Sequence, residues 1–235
     1  RLCVQPTEVV RVLQQGLHDM TTDQRGDVGS WVRLACMDSL GHVFCDWDVD
    51  VPALESAWVD MVGMLMERID AVRVKAGHIV RRVADIHATA LPNGESILAV
   101  VAEPEELRNA PYAFSVLVPL MSLERYRASL LYTLSRTIGS RSEMALREAG
   151  QALVDWALTV PDECVHDILV LLHHRAQSHA RENRVFVPIL QTILLLLDWD
   201  VHKRKSEDVN RMYVIRARAE GREGVDFWIP GGLLT

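Results

Sequence analysis

At 235 residues and 26.5 kDa the chain is long enough to bury a sizeable core, as one large domain, two small ones or a stack of repeats. Its 49% hydrophobic content carries only 6% aromatics, a balance that suits helix packing better than a β-sandwich and makes all-α the expected class. A net charge of −7 argues against a nucleic-acid groove, which needs a basic stripe, and the longest apolar run, Ile193 to Leu197, is far short of the ~20 residues of a membrane span.

Apolar residues recur at the helical period almost throughout. A first helix is expected after Thr7 as N-cap, burying Val9, Val10, Leu13, Leu17 and Met20, with Arg11, Gln14, Gln15 and His18 toward water. The polar turn from Thr21 to Asp27 then launches a second helix with an expected stripe of Val28, Trp31, Val32, Ala35, Ser39, Leu40 and Val43. Residues 44–53, with Asp46, Asp48, Asp50 and Pro52, read as a linker. The helical pattern from Leu54 to Ala90 is long enough that a break is expected near Glu67 to Asp70. Trp58, Met61, Val62 and Leu65 are buried before it, and Val72, Ala76, Ile79, Val80, Val83 and Ile86 after it. Pro92, Asn93 and Gly94 end that pattern.

The stretch 92–112, with Pro104, Pro111 and several glutamates, reads as an irregular excursion or surface loop. Helices are expected again at 113–120, 123–138, 142–159, 162–181, 184–198 and 206–219. The domain reading is an array over 1–200, followed over 201–235 by the basic loop HKRK, one further helix and an irregular tail.

One pattern repeats: an aliphatic residue, a basic residue, then Ala. It stands as Val32, Arg33, Ala35; as Val72, Arg73, Ala76; and as Leu146, Arg147, Ala149, with a weaker echo at Arg184 and Val185. A period of about 40 residues with two helices per period is that of HEAT or armadillo arrays, here about four to five helix hairpins. One hairpin cannot bury its apolar face alone, so neighbours stack into a continuous core. An acid near the start of the second helix, Asp27 and Asp70, is placed to cap that helix and to reach the arginine or a neighbouring repeat. An ordinary helical bundle is the alternative.

Chemistry-bearing motifs are scarce. There is no GxSxG, Walker loop, HExxH or GxGxxG, so no catalytic residues and no cofactor are assigned. His173, His174 and His179 share one predicted helix without the spacing of metal ligands and read as surface or packing histidines. Gly139, Ser140, Arg141 and Ser142 read as a turn rather than an anion cradle. Cys3, Cys36, Cys45 and Cys164 form no CxxC pair, and Cys36 falls on the apolar side of its helix, a pattern of reduced thiols and a cytoplasmic chain. No signal peptide is read at the start of the sequence, and with Arg1 as first residue the chain is expected to be a piece of a longer polypeptide. Arg25, Gly26 and Asp27 match an integrin-binding triplet incidentally. Of six tryptophans, Trp31, Trp58 and Trp156 fall on helical stripes, while Trp47 and Trp228 lie in irregular segments that suit partner contact. The candidate partner-binding residues are Asp23, Arg25, Asp27 and Trp47.

The stretch GLHDMTTDQRGDVGSWVR, Gly16 to Arg33, resembles a hallmark of the tubulin-folding cofactor D family of tubulin-specific chaperones, in its C-terminal region, with Met20 where an aromatic usually stands. ERIDAVRVKAGHIV from Glu67, ERYRASLLYTLSRTIGSRSEMALREAGQALVDW from Glu124 and ENRVFVPILQTILLLLD from Glu182 look like the same family in the same order. The similarity spans roughly Val9 to Asp198; Arg141 departs from it, and the tail from His202 is not matched. The resemblance implies a cytosolic HEAT-repeat scaffold, working at the microtubule cytoskeleton, that binds β-tubulin in assembly and disassembly of the α/β-tubulin heterodimer. It implies tubulin-folding cofactors E and C and an Arf-like small GTPase as partners, with GTP hydrolysis belonging to tubulin and the GTPase. On repeat physics alone, a transport or phosphatase scaffold fits as well.

Overall fold

The computed structural model describes residues 6–139 and 143–198, and these are helical, with no strand among them. In order they form α1 (Pro6–Gly16), α2 (Gly29–Asp46), α3 (Glu55–Gly63), α4 (Asp70–His87), α5 (Gly94–Val100), α6 (Ala110–Leu117), α7 (Glu124–Ile138), α8 (Glu143–Thr159), α9 (Asp162–Ser178) and α10 (Asn183–Asp198). Short 3-10 turns occupy Val51–Leu54, Met64–Met66, Pro104–Arg108 and Val118–Ser122. The helices stack in two rows. In one, α2 lies on α4, α4 on the 104–108 turn, and α6 on α8; in the other, α1 lies on α3, α3 on α7, and α7 on α10. This is the layered helix-hairpin stacking of an α-solenoid, and each row buries the apolar stripe of the other.

The break in the long helical pattern falls where the sequence places it. Gly63 closes α3, Met64–Met66 tightens into a 3-10 turn, and Glu67 and Ile69 adopt extended backbone before α4 starts. Trp58, Met61, Val62 and Leu65 are fully buried, as are Val72, Ala76, Val80 and Val83. The break frees backbone carbonyls that need donors; Arg73 Nη1 donates to one of them, Glu67 O, at 2.7 Å, while its Nε donates to Leu107 O of the 104–108 turn at 2.6 Å.

Several expectations are corrected. Helix α1 opens at Pro6, so Thr7 lies inside its first turn. Gln14 and His18 are half-buried, because both reach Asp60 on α3. On α2 the buried face is Gly29, Ser30, Arg33, Cys36, Met37, Leu40, Gly41, Val43 and Phe44, so Trp31, Val32 and Ala35 face outward, Trp31 with 58% of its surface exposed. The helix is turned this way because Arg33 is drawn inward by buried carboxylates. Ile86 is exposed on the last turn of α4.

The segment 92–112 is not an irregular surface loop. It holds α5, the 104–108 turn and the start of α6, and it buries Ile97, Val101, Pro104 and Leu107. Pro104 and Pro111 do not mark loops: both stand in the first turn of a helical element, where a missing N–H costs nothing. Asn109 caps α6 by accepting from Tyr112 N at 3.3 Å. A buried chain anchors the segment further: Trp58 Nε1 donates to the Tyr126 hydroxyl at 2.7 Å, which donates to the Pro92 carbonyl.

The HKRK run, the helix expected at 206–219, Cys3, Ser140 to Ser142, Trp228 and the tail lie outside the described residues.

Candidate functional site

The turn between α1 and α2 is built by its own short side chains. Asp19 Oδ1 accepts from Thr21 N at 2.7 Å, and Asp23 Oδ1 from Arg25 N at 2.7 Å. Asp23 and Gly26 exchange backbone hydrogen bonds, a closure that needs Gly26 at φ +106°, a region other residues rarely enter. Gly29 passes so close to the turn that a Cβ there would lie 2.7 Å from Asp19 O. Arg25 pairs with Asp23 at 2.6 Å, and its guanidinium carbon sits 5.1 Å from the centre of the exposed Trp31 ring. Asp23, Arg25 and Trp31 thus form a compact outward ledge. Trp47 is also exposed, at the C-terminal end of α2.

Asp27, expected beside them, is turned inward, and its side chain keeps only 9% of its surface exposed. It accepts from Ser30 N at 3.1 Å, from Arg33 Nη2 at 2.9 Å and from Arg68 Nη2 at 2.7 Å. It caps α2 and meets its arginine as the sequence suggested, but no oxygen is left for a partner. Burial alone would raise its pKa; the bonds from Arg33 and Arg68 outweigh that and lower it to about 2.

Beneath Asp27 lies a buried charge knot. Arg33, with no exposed side-chain surface, also donates to Asp19 O at 2.6 Å, and its Nε stands 3.0 Å from the carboxylate of Glu67, itself 2% exposed. That contact is an ion pair without the alignment of a hydrogen bond. Arg136 on α7 approaches the same carboxylate at 3.7 Å. Three hairpins therefore converge on two carboxylates, which fixes their mutual position.

The repeating arginine has a structural basis, in a form the spacing did not reveal. Arg33, Arg73 and Arg127 each stand within the first five residues of a helix and donate to the turn six positions back: to Asp27, to Glu67 O and to Met121 O. Arg147, expected as the third member, is exposed and among the described residues pairs with Glu148. Asp70 does not reach Arg73; it accepts from Ala71 N and lies 3.9 Å from Arg108.

Beside the knot an open groove of about 500 Å³ runs between α3, α7 and α9. A second cavity, of about 650 Å³ and reaching the start of α10, shares His18, Tyr132 and Arg175 with it. Asp60, within the apolar run of α3, accepts from Gln14 Nε2 at 2.7 Å and Ser129 Oγ at 3.1 Å and lies 3.2 Å from His18 Nε2. Burial would raise its pKa, yet the bonds from His18 and Gln14 hold it below the usual carboxylate range. Arg175 stacks on Tyr132 at 4.1 Å from the ring centre. Sequence reasoning missed this groove; Asp60 alone among the apolar residues from Ala57 to Met66 was the available signal.

Among the described residues no group of three His, Cys, Asp or Glu is placed to hold a metal ion, and no helix is long and apolar enough to cross a membrane. His173 is buried on α9, and Cys36, Cys45 and Cys164 form no disulfide.

No solved structure matches the chain. The family model described as tubulin folding cofactor D C terminal matches residues 55–216. That span takes in α3 to α10 and runs past Asp198, the expected end of the resemblance, into the tail from His202. With well over half of its 235 residues matched, and with its helices stacked as a HEAT-like solenoid, the chain belongs to the tubulin folding cofactor D C-terminal family.

Proposed function

We propose that this chain is a scaffold segment that binds β-tubulin in assembly and disassembly of the α/β-tubulin heterodimer. It works with tubulin-folding cofactors E and C and an Arf-like small GTPase, in the cytoplasm and at the microtubule cytoskeleton. The family match over 55–216 carries this reading. The charge knot supports it, because hairpins tied through Asp27, Arg33, Glu67 and Arg136 offer a wall of constant shape on which several modest contacts add up. The Asp23, Arg25 and Trp31 ledge and Trp47 are the contacts offered on the α2 side. In this reading the chain contributes surface and performs no catalysis, while the assembled complex promotes GTP hydrolysis by tubulin and the small GTPase.

The test is retention of purified β-tubulin, cofactor E, cofactor C and the GTPase, each offered separately to the immobilised chain. Saturable retention of β-tubulin is expected, with no nucleotide turnover by the chain alone. Failure to retain any of the four, or turnover by the chain itself, overturns the reading.

A further inference from the structure

The arginines around the groove differ in what balances them. Arg125 is paired with Glu55, and Arg184, exposed at the start of α10, reaches the Met20 carbonyl at 3.4 Å. Arg175 is half-buried and has no carboxylate partner among the described residues. It lies on the Tyr132 face, and its Nε is closed off from water without an acceptor. A guanidinium partly removed from water loses solvation that stacking on a tyrosine only partly restores. An incoming carboxylate, able to take two of its N–H groups side by side, restores the remainder.

The carboxylates already in the groove do not serve. Asp60 is held by Gln14, Ser129 and His18, and Glu182 is turned to His179 at 3.1 Å. The floor next to Arg175 is apolar, formed by Leu131, Leu172 and Ile189. The opening continues past Tyr132 and Arg175 into the second cavity, where Arg184 stands. A small inorganic anion would leave that floor and length unused. An extended chain segment fills both, with an acid on Arg175, an apolar side chain on the floor and a further acid toward Arg184. Because the whole chain carries a net charge of −7, an acidic segment is repelled elsewhere and gains only where such a local cation is available.

We propose that the groove along Tyr132 and Arg175 binds an acidic peptide segment of a partner protein, with Arg175 as the carboxylate receptor. The inference goes beyond the scaffold reading and does not depend on which protein supplies the segment.

The experiment is fluorescence anisotropy of a short fluorescein-labelled glutamate-rich peptide containing one leucine, titrated with the full chain, against the same peptide with glutamine at every glutamate. Saturable binding that weakens with salt, with little binding of the glutamine peptide, is expected. Arg175→Gln should weaken it about tenfold or more, the scale of a hydrogen bond to a charged group. Because Arg175 is half-buried, Arg184→Glu provides a second variant at an exposed position; it should weaken binding while leaving circular dichroism unchanged. No saturable binding, equal binding of the glutamine peptide, or binding indifferent to both substitutions overturns the proposal. β-Tubulin retention by the Arg175→Gln chain, measured in parallel, separates failure here from failure of the scaffold reading.

Discussion

Arg33 Nε and the carboxylate of Glu67 lie 3.0 Å apart with side chains 0% and 2% exposed, so α2 is tied to the break before α4 by a charge pair that water does not reach. Such pairs contribute little net stability, because desolvation offsets most of the attraction, but losing one partner strands the other. The pair therefore fixes geometry more than it adds free energy.

Arg33→Ala should accordingly cost about 3–5 kcal/mol in urea unfolding, since it leaves Glu67 and Asp27 without their shared cation. Replacing Arg33, Glu67 and Arg136 together by Met, Leu and Met, which leaves Asp27 paired with Arg68, should recover most of that loss. A triple variant as unstable as the single one would show that the destabilisation comes from packing rather than from an abandoned charge.

Asp27 carries a pH signature. Its folded pKa, about 2, lies below its ordinary value of 3.8, so its contribution is fully present above about pH 4 and disappears as the pH falls toward 2. The size is about 2 kcal/mol. The Asp27→Asn chain should be less stable than the parent at pH 6, with the difference narrowing at pH 3; a difference constant over that range would mean the carboxylate is not held as a charged partner of Arg33 and Arg68.

Of the three tryptophans that sequence periodicity placed alike, Trp58 and Trp31 should behave oppositely. Trp58 is fully buried and hydrogen-bonded to Tyr126, so Trp58→Ala should cost about 3–5 kcal/mol. Trp31, with 58% of its surface exposed, should lose less than about 1 kcal/mol on truncation. Thermal melts of both variants decide whether α2 presents the face described.

What could be read in advance follows from the range over which each signal acts. The break at 67–69 and the starts of α7, α8, α9 and α10 are local matters of period and punctuation, and the sequence displays them. The inward turn of Arg33 is only partly local: periodicity sorts residues by polarity, and Arg33 is buried against Asp27 of its own turn and against Glu67, which arrives from another hairpin. The groove was invisible for the same reason, since His18, Asp60, Tyr132 and Arg175 come from separate elements and share no motif. The segment 92–112 was misread through composition, because Pro104 and Pro111 mark helix starts as readily as loops.

The arginine pattern supplies the sharpest comparison. Arg73 is 1% exposed and donates to four carbonyls: Leu107 O at 2.6 Å, Glu67 O at 2.7 Å, Arg108 O at 3.3 Å and Arg68 O at 3.5 Å. It thereby fastens the break before α4 to the 104–108 turn. Arg147 matches the same sequence pattern but is solvated on α8. Arg73→Met keeps most of the side-chain volume but leaves buried carbonyls without a donor, each costing about 1–3 kcal/mol. Destabilisation above about 3 kcal/mol is expected, together with faster hydrogen exchange at Leu107, Arg108 and Asn109 as that turn loses its anchor. Arg147→Met should change neither. Equal effects at the two positions would mean that the sequence repeat, and not the buried carbonyl clasp, sets the role of these arginines.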